Sequence, residues 1–235
     1  MDQQTPLQRA LIALEVLGFV ALAFVGKAVL MTVAWQYAGP ISLVLLLVIL
    51  TGYFHMRGLS WRDFGLIKLP TLRAKLMVLP LALLTFCVVV ATIAGTLGLS
   101  HVLGLAFMFE KPEGIEERWG AIEGNLPLFL LWLGIVWTAA AFGEEMFFRG
   151  YMVTRIKSVF AGSVLAVPLA VILAAALFGF GHMYYQGLRG FITTGAIALA
   201  FGTMFVLLRG NLWPMVIVHG VIDTLNFIPL YLGME

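Results

Sequence analysis

Charge is what this chain has least of. Only 11% of its 235 residues are Asp, Glu, Lys or Arg, against roughly 25% in a soluble globular domain. With 62% hydrophobic residues and a mean hydropathy of +1.03, a water-soluble fold of this size is excluded, because so little polar side chain cannot cover the surface of a small domain. Cysteine is nearly absent. Cys87 stands alone in an apolar run, so no internal disulfide can form. A reactive thiol would need a positive neighbour that its local sequence does not supply, and Cys87 reads as a small packing residue. The net charge is only +2, which gives no reason to expect a nucleic-acid partner. There is no internal repeat, low-complexity tract or soluble domain. The apolar run after Arg9 is too long for a typical signal-peptide core and lacks a small-residue cleavage site, so it is expected to be a retained span.

What the chain does have is apolar runs of spanning length, about 20 residues each. Seven lie roughly at 9–36, 38–55, 75–100, 126–149, 163–183, 191–209 and 212–232. The fourth has no proline after Arg149 and is expected to continue to about Phe160 as an amphipathic extension. The expected fold is therefore all-α, a polytopic transmembrane helical bundle with seven or eight spans. The connector Met56 to Arg73 carries Arg57, Arg62, Lys68 and Arg73 against Asp63 alone, whereas Glu110, Glu113, Glu116, Glu117 and Glu123 dominate the loop after the third span. Basic loops stay cytoplasmic. That rule places the N-terminus inside with Arg155, Lys157 and Arg209, and leaves only Lys111, Arg118 and Arg189 outside. The odd span count then puts the C-terminus outside. The acidic loop reads as a solvated charged face. Short loops in a small chain fit a prokaryotic inner membrane.

Ionisable side chains at a bilayer centre cost roughly 2.5–3.5 kcal/mol each on insertion scales, so their retention points to function. Three clusters occur: Gly-Glu-Glu-Met-Phe-Phe-Arg-Gly at 143–150, Phe-Gly-Phe-Gly-His at 178–182 and His-Gly-Val-Ile-Asp at 219–223. On a helix, Glu145 and Arg149 share a face in the favourable acid-first order. Glu144 is turned by about 100° from its neighbour and keeps no local partner. Such a carboxyl in low dielectric is available for general acid–base work. Phe178 with His182, and His219 with Asp223, also share faces, and Asn226 follows about one turn later. If the three helices pack together, Glu144, His182 and His219 converge. The bland readings are a packing ion pair for Glu145 with Arg149 and interhelical hydrogen bonds for the histidines. Glu15 and Lys27 lie nearer the ends of the first span, where they can snorkel, and receive no role.

The three clusters resemble the motifs of the family that joins type II CAAX prenyl endopeptidases with bacteriocin-processing and immunity-type membrane proteins (CPBP): Glu-Glu-x-x-x-Arg, Phe-x-x-x-His and His-x-x-x-Asn or Asp. Here they read Glu144-Glu145-Met-Phe-Phe-Arg149, Phe178-Gly-Phe-Gly-His182 and His219-Gly-Val-Ile-Asp223, in order and in spanning segments. Ser60-Trp-Arg-Asp-Phe-Gly-Leu66 is similar to a stretch found before that family's core. The resemblance covers roughly 126–226. It implies a core at 126–235, with 1–125 as variable added spans. It also implies an intramembrane endopeptidase without cofactor or metal. Glu144 would be the base and His182 would position the water. His219 would stabilise the oxyanion with Asp223 assisting, and Glu145 and Arg149 would orient the site together with Phe178 and Asn226. Asp223 stands where Asn is common. An ionised Asp would repel an oxyanion, so orientation of His219 is the expected role. The implied partners are the bilayer and a peptide or membrane-protein substrate, lipidated or not.

Two other readings stay open on the sequence. One carboxylate and two imidazoles could form a catalytic zinc site, although no His-Glu-x-x-His helix is present. A non-enzymatic scaffold, immunity or transport protein could also carry a buried polar cluster, although the inverted repeats and paired broken helices of transporters are missing.

Overall fold

A computed structural model describes residues 5–234, and among these residues the regular structure is entirely helical. Helix α1 (Pro6–Met31) opens with a capping box in which Thr5 Oγ1 accepts from Gln8 N at 3.2 Å and Gln8 Oε1 accepts from Thr5 N at 2.8 Å. Helices α2 (Ala38–Met56) and α3 (Leu72–Val102) follow, α3 being capped by Thr71 Oγ1 on Ala74 N. A short amphipathic helix, α4 (Glu113–Trp119), lies in the acidic loop. Helix α5 runs from Leu126 to Val159 without a break, as the absence of proline predicts. Asn125 caps it and Pro127 takes a first-turn position, where its missing N–H has no intrahelical partner to lose. α6 (Ala166–Leu207) and α7 (Trp213–Leu232) complete the chain.

Six apolar helical stretches are long enough to cross a membrane, yet the sequence predicts seven spans. The difference is α6. Its 42 residues would extend about 60 Å, twice the roughly 30 Å hydrocarbon core. Gly187 interrupts it with φ 60° and ψ −155°, a backbone conformation open to glycine. The two arms then fold back on each other. A side chain at Gly179 would sit 2.6 Å from Phe191 O and 3.2 Å from Gly195 Cα, and one at Gly202 would sit 2.9 Å from Val171. These pairings are antiparallel about Gly187, so the arms form a hairpin, and each arm is long enough for one crossing. Small residues let the backbones approach closely, as membrane helices require.

The loops sort to two ends. At one, Leu212 N donates to Gly65 O at 3.1 Å and Trp213 Nε1 donates to Ile67 O at 2.9 Å. Gly150 lies so near Phe64 that a Cβ there would meet Phe64 O at 2.6 Å. The basic connector is held at this end. Its Asp63 carboxyl is kept below the usual carboxylate range by the backbone N–H and hydroxyl of Ser60. At the other end, Gly124 N donates to Tyr231 O, Gln36 Nε2 to Glu117 O and Arg189 to Glu110 O. The acidic loop, the Gly187 turn and the last residues of α7 meet there.

The main core gathers Leu46, Leu50 and Phe54 from α2, Phe147 and Tyr151 from α5, Phe201 and Phe205 from α6 and Met215 from α7. Many large apolar side chains on α1, α2 and α3 remain exposed, Val48 and Leu83 among them, as a lipid-facing surface requires. Cys87 is also exposed on that outer surface rather than packed inside. Glu15 does not snorkel freely. Its carboxylate pairs with Arg155 Nε at 2.9 Å and accepts from Tyr53 Oη at 2.8 Å and Tyr151 Oη at 3.1 Å. It ties α1 to the far end of α5.

Candidate active site

A cavity of about 600 Å³ lies among the helices, roofed at the acidic-loop end by α4. That volume suits a small-molecule or short-peptide ligand. Glu144, His182, His219, Asp223 and Asn226 all line it. The three sequence clusters therefore meet in one space. Its apolar wall includes Leu43 of α2 and Ile93 of α3, so the first 125 residues shape the site as well as the segment that bears the motifs.

Helix α5 is π-wound from Val136 to Val153, the wider i→i+5 hydrogen-bond pattern that gathers at functional sites. The spacing of Glu144, Glu145 and Arg149 alone predicts ordinary α-geometry, and the wider winding is the difference the structure adds. Adjacent carboxyls still separate. The side chain of Glu145 is fully buried, whereas that of Glu144 is 21% exposed, toward the cavity. Arg149 Nη1 lies 2.9 Å from Glu145 Oε1. The contact is one of charge to charge, since both terminal nitrogens of Arg149 and Glu145 Oε2 have no aligned hydrogen-bond partner. Ring faces cover the guanidinium instead. Its Cζ lies 4.6 Å from the centroid of Phe178 and 5.1 Å from that of Phe201, within cation–π range. Phe178 thus holds Arg149 as well as packing on His182, whose ring centroid lies 4.6 Å away.

His219 joins the two carboxyls. Its Nδ1 lies 2.8 Å from Glu145 Oε1, so an N–H there donates to the carboxylate. Nε2 faces the cavity carboxyls, with Asp223 Oδ2 at 3.5 Å and Glu144 Oε2 at 3.8 Å. The ring stacks on Phe201 at a centroid distance of 5.8 Å. Position four after the histidine therefore stands at Nε2, and the close partner at Nδ1 is Glu145, a contact that helical spacing within one helix could not reveal. Nδ1 of His182 lies 2.8 Å from Phe178 O. A carbonyl can only accept, so Nδ1 carries the proton and Nε2 is left with its lone pair. Asn226 is exposed at the cavity edge. Among the described residues, no group of three or more His, Cys, Asp and Glu side chains is arranged to hold a metal ion.

Two cations in this cavity escaped the sequence reading. Lys27 does not snorkel to the interface. Its Nζ donates to Gly181 O at 2.6 Å and sits 3.6 Å from the centroid of Tyr184. Arg118 belongs to the acidic loop, yet it is only 7% exposed, while Glu113, Glu116, Glu117 and Glu123 around it face solvent. It lies in a cage of Trp119, Trp132, Tyr184 and Tyr185, with Cζ 4.7 Å from the Tyr185 centroid. Burial draws its guanidinium below the usual range, against the opposing pull of Tyr185 and Glu144. The only sequence signal was its position beside Trp119 in an otherwise acidic loop.

Fold and site define a polytopic membrane protein with a three-carboxylate, two-imidazole centre. A family model described as Rce1-like, type II CAAX prenyl endopeptidase Rce1-like, matches residues 126–225, the stretch that bears all three clusters. Over these residues the chain is similar to that family, the one its motifs resemble. No curated protein and no solved structure gives a significant match.

Proposed function

We propose that the chain is an intramembrane endopeptidase in which Glu144 takes a proton from a water that His182 helps to hold. The observation that carries this reading is the division of labour between adjacent carboxyls. Glu145 is sealed against Arg149 and His219, while Glu144 faces the cavity. A general base must be reachable by water and substrate, and of the pair Glu144 alone meets that condition. His182 offers Nε2 to the same cavity because Phe178 O occupies Nδ1.

In the proposed step, water oxygen bonds to the scissile carbonyl carbon and its proton passes to Glu144. His219, protonated on both ring nitrogens between Glu145 and the cavity carboxyls, keeps Nδ1–H on Glu145 and donates from Nε2 to the developing oxyanion, as preorganised donors do in dry sites. Glu145 sets the plane of that ring. Asp223 at Nε2 orients His219 and, with Asn226, borders the substrate. Glu144 then returns the proton to the leaving amine as the C–N bond breaks. No cofactor or metal enters the step. The substrate is a peptide or a membrane-protein segment, lipidated or not, reached within the bilayer. The charge distribution supports an N-terminus on the cytoplasmic side of a prokaryotic inner membrane, with basic Arg9, Arg57, Arg62, Lys68, Arg73, Arg155, Lys157 and Arg209 at one end of the bundle.

The test compares peptide and protein termini in cells expressing the wild type or Glu144→Gln at equal membrane levels. New termini are expected only with the wild type, and their formation should persist in a membrane-permeant chelator. Identical termini across growth conditions would overturn the endopeptidase reading. Loss under chelator alone would replace the water-and-glutamate step by a zinc-dependent one.

A further inference from the structure

Lys27 and Arg118 are not used by the proposed reaction, and their burial needs a reason. Both line the cavity that holds Glu144. They stand around one ring, at 3.6 Å and 5.4 Å from the centroid of Tyr184. No carboxylate among the described residues lies within ion-pair distance of either. Arg118 Nε is buried without a hydrogen-bond partner. Two like charges in a poorly solvated space oppose each other and each loses hydration. An anion placed between them relieves both costs.

The geometry also selects the kind of anion. Aromatic rings surround the guanidinium of Arg118, which leaves the edge N–H groups as its means of contact. That edge matches a carboxylate in the two-point manner typical of Arg. Lys27 adds a point charge beside it. Because Nζ is tied to Gly181 O, next to His182 in the chain, the cationic pair sits close to the proposed water site. α4 closes this end of the cavity from the acidic-loop side.

We propose that Lys27 and Arg118 form a carboxylate-binding subsite that seats an acidic group of the substrate peptide, either its C-terminal carboxylate or an Asp or Glu side chain, beside the reacting bond. The proposal rests on the endopeptidase reading for its occupant. It implies that cleavage is confined to bonds at a fixed short distance from a carboxylate, so the subsite sets the position of the cut.

Binding can be measured without turnover. The Glu144→Gln protein in neutral detergent is titrated with three dansylated probes, and energy transfer from tryptophan (Trp119 and Trp132 line the cavity) is followed. The first probe is dansyl-Gly-Leu-Ala-Leu-Ala as the free acid, the second its C-terminal amide, and the third the amide with aspartate replacing the second alanine of the chain. The free acid or the aspartate probe should bind about tenfold more tightly than the plain amide, as a charge-assisted pair allows. Whichever is preferred identifies the source of the carboxylate. Lys27→Met and Arg118→Met should each bring the acidic probe close to the amide. If Arg118→Met does not fold, Arg118→Lys takes its place and should keep only part of the preference. Equal affinities of all three probes would overturn the proposal, as would a preference that survives both substitutions. Equal probe affinities together with displacement of every probe by phosphatidylglycerol, but not by phosphatidylcholine, would assign the cations to a lipid phosphate instead. A carboxylate preference in a wild-type protein that generates no new termini would retain the subsite and refute the protease.

Discussion

The pair Glu145–Arg149 gives the sharpest test of how this site is held. Removing the cation by Arg149→Met leaves a carboxylate whose side chain is 0% exposed, with only His219 Nδ1 beside it. The rings of Phe178 and Phe201 that cover the Arg149 guanidinium offer no donor to replace it. Breaking one side of a buried pair costs about 3–5 kcal/mol, most of it the stranded charge. For a chain of this size each kcal/mol moves Tm by about 2–4 °C, so the variant should melt at least about 6 °C lower. The double variant Glu145→Gln with Arg149→Met removes the stranded charge and keeps a carbonyl oxygen for His219 Nδ1–H. It should recover most of that loss, because a neutral replacement of a buried pair is often well tolerated. Tryptophan-fluorescence melting of wild type, both single variants and the double variant in one detergent completes the cycle. If Arg149→Met melts within 2 °C of wild type, or the double variant melts below Arg149→Met, the pair is not what holds Glu145, and the reasoning that frees Glu144 for chemistry fails with it.

The α6 hairpin is tested by a matched pair of substitutions. Gly179→Ala places a methyl 2.6 Å from Phe191 O, whereas Gly195→Ala meets nothing nearer than 3.8 Å. The first should lower Tm by several degrees, in line with the roughly 1–3 kcal/mol cost of overpacking, and the second should change it little; equal effects would mean the arms are not packed through Gly179. Orientation is tested by thiol labelling in a Cys87→Ser background. Glu117→Cys should react with a membrane-impermeant maleimide in intact cells, and Lys157→Cys only after the membrane is opened. The reverse pattern would invert the proposed topology.

Most of the architecture was legible because lipid imposes so narrow a rule. A crossing needs about 20 apolar residues, so the apolar runs stand out in the sequence, including the two that a single helical stretch joins at Gly187. The site clusters were legible for the same reason. A Glu, Arg or His inside such a run carries an energetic cost, so its retention is a signal even without knowledge of the fold. Lys27 and Arg118 obeyed the same physics, but their sequence neighbourhoods masked it. Lys27 is near a helix end, where a long side chain can reach water. Arg118 sits among glutamates that do face solvent. What buries them is the meeting of α4 with Trp132 of α5 and the Tyr184–Tyr185 pair before the Gly187 turn, three segments with no sequence proximity. The Glu145–His219 contact was hidden in the same way. Helical spacing could pair His219 with Asp223 in its own helix and Glu145 with Arg149 in theirs, and both pairings occur at 3.5 and 2.9 Å. It could not show that one Glu145 oxygen lies near both Arg149 and His219. That shared oxygen links the fold to the proposed chemistry. It fixes the imidazole through the same carboxylate that anchors the arginine, and it leaves the neighbouring Glu144 as the carboxyl that the cavity can reach.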